Sequence, residues 1–109
     1  MDNKHPALLI ACDLIKANLH LKISMLDLKQ HTKYSERSLQ LIFKKHLNKS
    51  PFEYIEEQRL LKAHELIKQF KQSKKTTDIA AEVVFRHLGR FSVNFKRRFG
   101  IHPSALARS

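Results

Sequence analysis

At 109 residues with 42% hydrophobic content, the chain can bury one modest core, or two very small ones sharing an element. Its 21 Lys and Arg against 10 Asp and Glu leave a formal net charge of +11. Such an excess favours a polyanionic partner: nucleic acid first, an anionic membrane second, with a merely well-solvated surface as the plain alternative.

Cys12 is the only cysteine, which excludes an intramolecular disulfide framework and a Cys-x-x-Cys ligand set and fits a reducing cytoplasm. The longest apolar run, residues 7–12, falls far short of the ~20 residues a membrane span needs, so no membrane association is expected. With 2 Gly, 3 Pro and no sizeable strand-like alternation, the expected fold class is all-α, with about seven helices.

Residues 6–19 (PALLIACDLIKANL) place Leu8, Leu9, Cys12, Ile15 and Leu19 on an i, i+3/i+4 stripe behind an opening proline, which predicts a packing helix. Cys12 on that stripe reads as a small buried hydrophobe rather than a nucleophile. Residues 24–31 (SMLDLKQH) begin with Ser24 and carry Asp27 three positions on, a loose capping pattern for a short second helix. Residues 34–47 (YSERSLQLIFKKHL) offer Ser35 as N-cap and turn Leu39, Ile42 and Phe43 inward. Short helix, tight turn and second helix make a helix-turn-helix. Ser50, Pro51 and Glu53 combine an N-cap, a proline at the first helical position and a capping-box acid, so a long helix should start there and run to about Phe70, roughly 30 Å. Residues 71–77 (KQSKKTT) read as a turn, and a short helix from Asp78 to Val83 follows. Residues 87–99 (HLGRFSVNFKRRF) then take His87 as N-cap and gather Leu88, Phe91, Phe95 and Phe99 on one face, and residues 102–109 (HPSALARS) close as a short helix.

The phrase FKKHLNKSP at 43–51 recurs as FKRRFGIHP at 95–103, and Leu39 and Phe43 recur as Phe91 and Phe95. The duplicated unit is a whole helix-turn-helix. Three segments are expected: an N-terminal helix-turn-helix subdomain at 1–49, a linker helix at 50–70, and a C-terminal helix-turn-helix subdomain at 71–109. A spacer of roughly 30 Å is close to one turn of B-DNA, roughly 34 Å, which would let both second helices enter adjacent major-groove segments.

The stretches 18–28, 34–67 and 79–108 together resemble the DNA-binding domain of the AraC/XylS transcription regulators. The resemblance rests most on Ser50-Pro51-x-x-Tyr54-Ile55, on the Arg59, Leu60, Ala63, Leu66 spacing, and on the Phe95-Lys96-Arg97-x-x-Gly100-x-x-Pro103 stretch. It implies a bacterial transcription regulator, or the DNA-binding domain of one, that binds asymmetric sites as a bipartite monomer. Four positions depart from the family pattern. Lys33 and Val84 stand where it places turn glycines, Lys29 where a small residue lets two helices cross, and Leu106 where an aromatic is usual, whereas Ala80 conforms. Val84, β-branched, is the residue least suited to a positive φ.

In the first recognition helix the outward set is Glu36, Arg37, Ser38, Gln40, Leu41 and Lys44. Arg37 suits guanine O6/N7 and Gln40 suits adenine N6/N7 by bidentate geometry, while Leu41 suits a thymine methyl. Ser35, Lys44, Lys45 and Lys49 are assigned to phosphates, which position without specifying. In the second helix the outward set is Arg86, Gly89, Arg90, Ser92, Val93 and Lys96. Arg90 and Ser92 are its base-contact candidates and Arg86 and Lys96 its phosphate partners, while Gly89 and Val93 favour backbone contact and shape readout. Glu53, Glu56 and Glu57 suit the dipole at the start of the linker helix and are expected to face away from DNA.

No enzyme is expected. The seven His lack a His-Glu-x-x-His arrangement, no Gly-rich phosphate loop exists, and neither metal nor cofactor is implied. The rival reading is a non-specific basic helical module that coats nucleic acid or anionic lipid by charge. The duplicated fold and uncharged readers such as Gln40 argue against it, since binding by charge needs neither. Double-stranded DNA is the expected partner and RNA polymerase a candidate second one. A small-molecule effector would act only through a domain not in this chain, which either works free-standing or belongs to a longer regulator. Activator or repressor stays open.

Overall fold

The computed structural model describes residues 5–85 and 88–109, with the backbone alone at Leu88. The described residues form seven α-helices and no strand: α1 (Pro6–Ala17), α2 (Met25–Thr32), α3 (Glu36–Leu47), α4 (Pro51–Phe70), α5 (Thr76–Glu82), α6 (Leu88–Phe99) and α7 (Pro103–Arg108), with a 3-10 turn at Lys71–Ser73. The chain divides into two compact units, Met1–Gln58 and Arg59–Ser109, so that α4 supplies residues to both.

The starts of α2, α3 and α4 are set by serine caps that satisfy otherwise orphaned backbone N–H groups. At α2, the Asp27 N–H donates to Ser24 Oγ at 3.1 Å and the Ser24 N–H donates to Asp27 Oδ2 at 3.0 Å. At α4 the same reciprocal box joins Ser50 and Glu53, at 2.8 and 3.1 Å. At α3 the Ser38 N–H donates to Ser35 Oγ at 3.1 Å. The capping chemistry expected at these three serines is present at each.

The first core gathers Ala7, Leu8, Ala11, Cys12 and Ile15 of α1, Leu28 of α2, Leu39 and Phe43 of α3, and Tyr54 and Ile55 of α4. The expected α1 stripe shifts by one position. Leu9 is 45% exposed, Leu19 packs half-buried on this core from beyond the helix end, and the small Ala7 and Ala11 take buried places on the helix. His5, unmarked in the sequence reading, caps α1 by accepting the Ala7 N–H on Nδ1 at 3.1 Å. Cys12 is buried, and burial pushes its thiol pKa up against the smaller, lowering effect of a hydrogen bond with Tyr54.

The second core gathers Leu60, Ala63 and Ile67 of α4, Ile79 and Ala80 of α5 with Val83 just past its end, Phe91 and Phe95 of α6, and Ala107 of α7. It is built around aromatic contacts. Ring centroids lie 4.8 Å apart for Phe85 and Phe91, 5.6 Å for Phe91 and Phe95, and 4.7 Å for Phe95 and Phe99. The helix expected from Asp78 starts two residues earlier, at Thr76. The Ile79 N–H already donates to the Lys75 carbonyl at 3.1 Å, which places Asp78 inside the first turn, where its carboxylate suits the dipole.

The two interhelical turns both use positive φ, as the glycine positions of the family resemblance imply, but in different ways. Lys33 has φ 66° and its N–H donates to the Lys29 carbonyl at 2.8 Å, a single αL closure. Val84 has φ 64°; its N–H donates to the Ala81 carbonyl at 3.0 Å and the Phe85 N–H reaches the Ala80 carbonyl at 2.9 Å, a Schellman closure with valine where glycine is favoured. Lys29 is exposed, so its long side chain does not obstruct the crossing beneath it, and Leu106 packs half-buried on the second core. The repeated phrases end alike: α3 at Asn48 (φ 58°) and α6 at Gly100 (φ 77°), each N–H returning to the carbonyl four residues before.

Candidate nucleic-acid interface

The face of α3 follows from its core contacts. Leu39 and Phe43 are fully buried one turn apart, and Ile42 is half-buried beside them. The opposite side then carries Glu36, Arg37, Gln40, Leu41, Lys44 and Lys45, all exposed, with Leu41 at 59%, while Ser38, expected to face outward, is half-buried at the cap. Leu41 is the apolar member of this face, open to water among polar neighbours. Ser35 uses its hydroxyl twice within the cap, accepting the Ser38 N–H and donating to Ser38 Oγ at 3.0 Å. Lys49 lies half-buried in the turn before α4. Along α3 the first turn holds Glu36 and Arg37, and the cations Lys44 and Lys45 sit in the last turn, where they also suit the helix dipole.

One contact escaped the sequence reading. The Gln40 Nε2 donates to Glu36 Oε2 at 3.3 Å, one helical turn back on the same face. The i, i+4 spacing is the signal that would have found it.

On α6, Phe91 and Phe95 are buried and Phe99 half-buried, so the outward side carries Gly89, Arg90, Val93, Lys96, Arg97 and Arg98, all exposed, with Ser92 half-buried. Gly89 is helical, and a Cβ built on it would meet nothing within 4 Å. Nothing inside the protein therefore requires a glycine there. Arg86 and His87, expected as a phosphate contact and an N-cap, lie outside the described residues, as does the side chain of Leu88.

Behind this helix, the His64 ring of α4 lies 4.3 Å from Phe99 and 5.9 Å from Phe95. Burial, followed by the charges of Lys68 and Arg98, lowers its pKa below the ordinary imidazole value. Among the described residues no three His, Cys, Asp or Glu side chains come together as a metal site, and no helix is long and apolar enough to cross a membrane.

A family profile described as a helix-turn-helix domain matches residues 28–109. The HTH-type transcriptional regulator ArgR of Pseudomonas aeruginosa is 32% identical over 103 residues, covering 94% of this chain and 31% of that protein. The XylDLEGF operon transcriptional activator of Pseudomonas putida is 34% identical over 95 residues, covering 86% of this chain and 30% of that protein. The chain thus spans about a third of the length of these curated relatives. Among solved structures, a probable AraC family transcriptional regulator from Rhodopseudomonas palustris matches with TM-score 0.89 and 26% identity, covering 95% of this chain and 96% of that one. A transcriptional regulator with an AraC-type DNA-binding domain from Chromobacterium violaceum matches with TM-score 0.85 and 30% identity, covering 95% and 94%. With its duplicated helix-turn-helix, its capped linker helix and these likenesses, the chain belongs to the AraC/XylS family of helix-turn-helix DNA-binding domains.

Proposed function

We propose that this chain binds double-stranded DNA sequence-specifically, as a bacterial transcription regulator acting in the cytoplasm or as the DNA-binding part of one, with α3 and α6 entering adjacent major-groove segments. The observation that carries the reading is the exposed side of α3. Arg37, Gln40 and the open Leu41 stand together at its front, and Lys44 and Lys45 follow at its back. A surface adapted to charge alone has no use for an exposed amide and leucine between its cations, whereas base edges offer partners to both. Arg37, Gln40 and Leu41 are the proposed base contacts of the first unit and Arg90 and Ser92 those of the second. Ser35, Lys44, Lys45, Lys49, Arg86 and Lys96 are the proposed phosphate contacts. Contact with RNA polymerase and response to an effector are proposals of a weaker kind, resting on relatives about three times as long, one of them named as an operon activator.

Selecting bound duplexes from a random library tests the reading. Two short enriched blocks with centres about 10 base pairs apart are expected. The selected site should lose affinity with salt at a log-log slope of roughly −5 to −7, reflecting about six to eight neutralised phosphates. A steep salt dependence with no enriched motif would overturn sequence-specific binding and leave a module that holds DNA by charge.

A further inference from the structure

Glu36 is an acid at the front of an otherwise basic recognition surface. On a face meant to approach DNA, a carboxylate lowers affinity for every sequence, because it faces a polyanion. Its place as the first residue of α3 suits the helix dipole, but Ser35 already caps that end. Glu36 does not need to neutralise Arg37 either, since adjacent residues on a helix do not face one another. The carboxylate instead accepts from Gln40 Nε2 at 3.3 Å.

That bond has a chemical consequence for reading. A carboxylate is acceptor-only, so the Gln40 amide must turn its NH₂ toward Glu36; the flipped amide would set oxygen against oxygen. One Nε2 proton is then committed. The second proton and Oε1 remain free, which is the donor and acceptor pair that matches adenine N7 and N6. Glu36 itself can only accept. In the major groove guanine presents the acceptors N7 and O6 and thymine the acceptor O4, whereas cytosine N4 and adenine N6 are donors.

Resting on the proposed function, we infer that Glu36 is a specificity-determining residue of this interface: it selects an amino-bearing base, cytosine or adenine, at its own step, rejects guanine and thymine there, and orients Gln40 for the neighbouring step. The reading would give the first helix a coupled two-residue reader, Glu36 and Gln40, beside Arg37.

The test is site selection from a random duplex library with the unmodified chain and with Glu36→Gln, Glu36→Ala and Arg37→Ala, each checked for an unchanged thermal unfolding curve. The block that Arg37→Ala alters locates α3. Within it, the unmodified chain is expected to enrich cytosine or adenine at one position by on the order of tenfold over guanine. Glu36→Gln keeps an oxygen for Gln40 but adds a donor, so it should accept guanine there while other positions keep their preferences. Glu36→Ala should in addition broaden the position read by Gln40. If both Glu36 variants bind all duplexes more tightly by one common factor and keep the same base order, Glu36 is only a helix-end charge and the inference fails. If the unmodified chain enriches no motif, the proposed function itself fails, and this inference with it.

Discussion

The two helix-turn-helix units are copies in topology but differ in what specifies them. In the first, short-range polar chemistry marks every step: a reciprocal Ser24–Asp27 box starts α2, Lys33 closes the turn, and Ser35 caps α3. In the second, α5 follows Lys75 without a side-chain cap, the turn holds a valine at φ 64°, and order comes from the packed rings of Phe85, Phe91, Phe95 and Phe99. Their outward faces differ to match. α3 shows Glu36, Arg37, Gln40 and Leu41, whereas α6 shows Gly89, Arg90 and Val93. We propose a matching division in which the first unit reads bases chiefly by side chain and the second, beyond Arg90 and Ser92, follows the shape of the duplex.

Removing one cation of each kind from α3 should have the largest effect. Arg37→Ala is expected to cost about 1–3 kcal/mol on the selected site and to relax base choice at one position. Lys44→Ala should weaken all sequences alike and reduce the salt slope by about one. Titrations of the selected site, its single-base variants and random duplex at several salt concentrations separate the two. Equal losses on specific and random DNA from both variants would remove side-chain reading from the first unit.

The turns come next. Val84→Gly should stabilise the protein by about 1 kcal/mol, because glycine adopts positive φ without the steric penalty of a β-branched side chain. Lys33→Gly should gain less, its unbranched side chain fitting the left-handed region better. Urea midpoints decide the order, and a loss of stability at Val84→Gly would mean that valine contributes more by packing than it costs in strain.

Gly89→Ala probes the division from the other side. With nothing near its Cβ position, the change should leave the fold intact and add up to about 0.5–1 kcal/mol of stability through helix propensity. If the second unit follows DNA by close backbone approach, affinity should nonetheless fall. A variant both more stable and equally tight would refute that role for the glycine.

The smallest expected effect is a pH dependence confined to the second unit. His64 has its folded pKa below the unfolded one, so as pH falls the unfolded chain takes up this proton first. The contribution is fully present above the ordinary imidazole value of about 6.5 and declines as pH falls toward the folded value. Between pH 7.5 and about 5 the denaturation midpoint of the unmodified chain should fall relative to that of His64→Leu; parallel curves would remove His64 as the cause.

How far the sequence could be read follows the same contrast. The starts of α2, α3 and α4 were legible because a serine and, at two of them, an acid three residues on act within one turn. The start of α5 was not, since no polar side chain marks it and the first turn is set by the Lys75 carbonyl alone. Leu9 was placed inward by a spacing rule that cannot tell a leucine from the smaller Ala7 and Ala11 beside the same groove. The positive φ at Lys33 and Val84 followed from family resemblance, because nothing in either side chain advertises it. The ring contact of His64 with Phe99 joins residues of α4 and α6, beyond the reach of any local pattern. Apart from the half-buried Ser38, the outward set of α3 is legible from its buried stripe, whereas the Glu36–Gln40 bond depends on side-chain pairing at i, i+4 that outward facing alone does not reveal.

The buried Cys12 gives the molecule a chemical clock of its own. A thiol shielded from solvent, with its pKa raised by burial, resists alkylation while α1 stays docked. It is the only cysteine in the chain, and it belongs to the first unit alone. The rate at which an added alkylating reagent consumes it therefore counts openings of that unit, with no matching signal from the second. Measured with and without a bound duplex, the same rate would report how much DNA holds the first unit closed, with no label introduced into the protein.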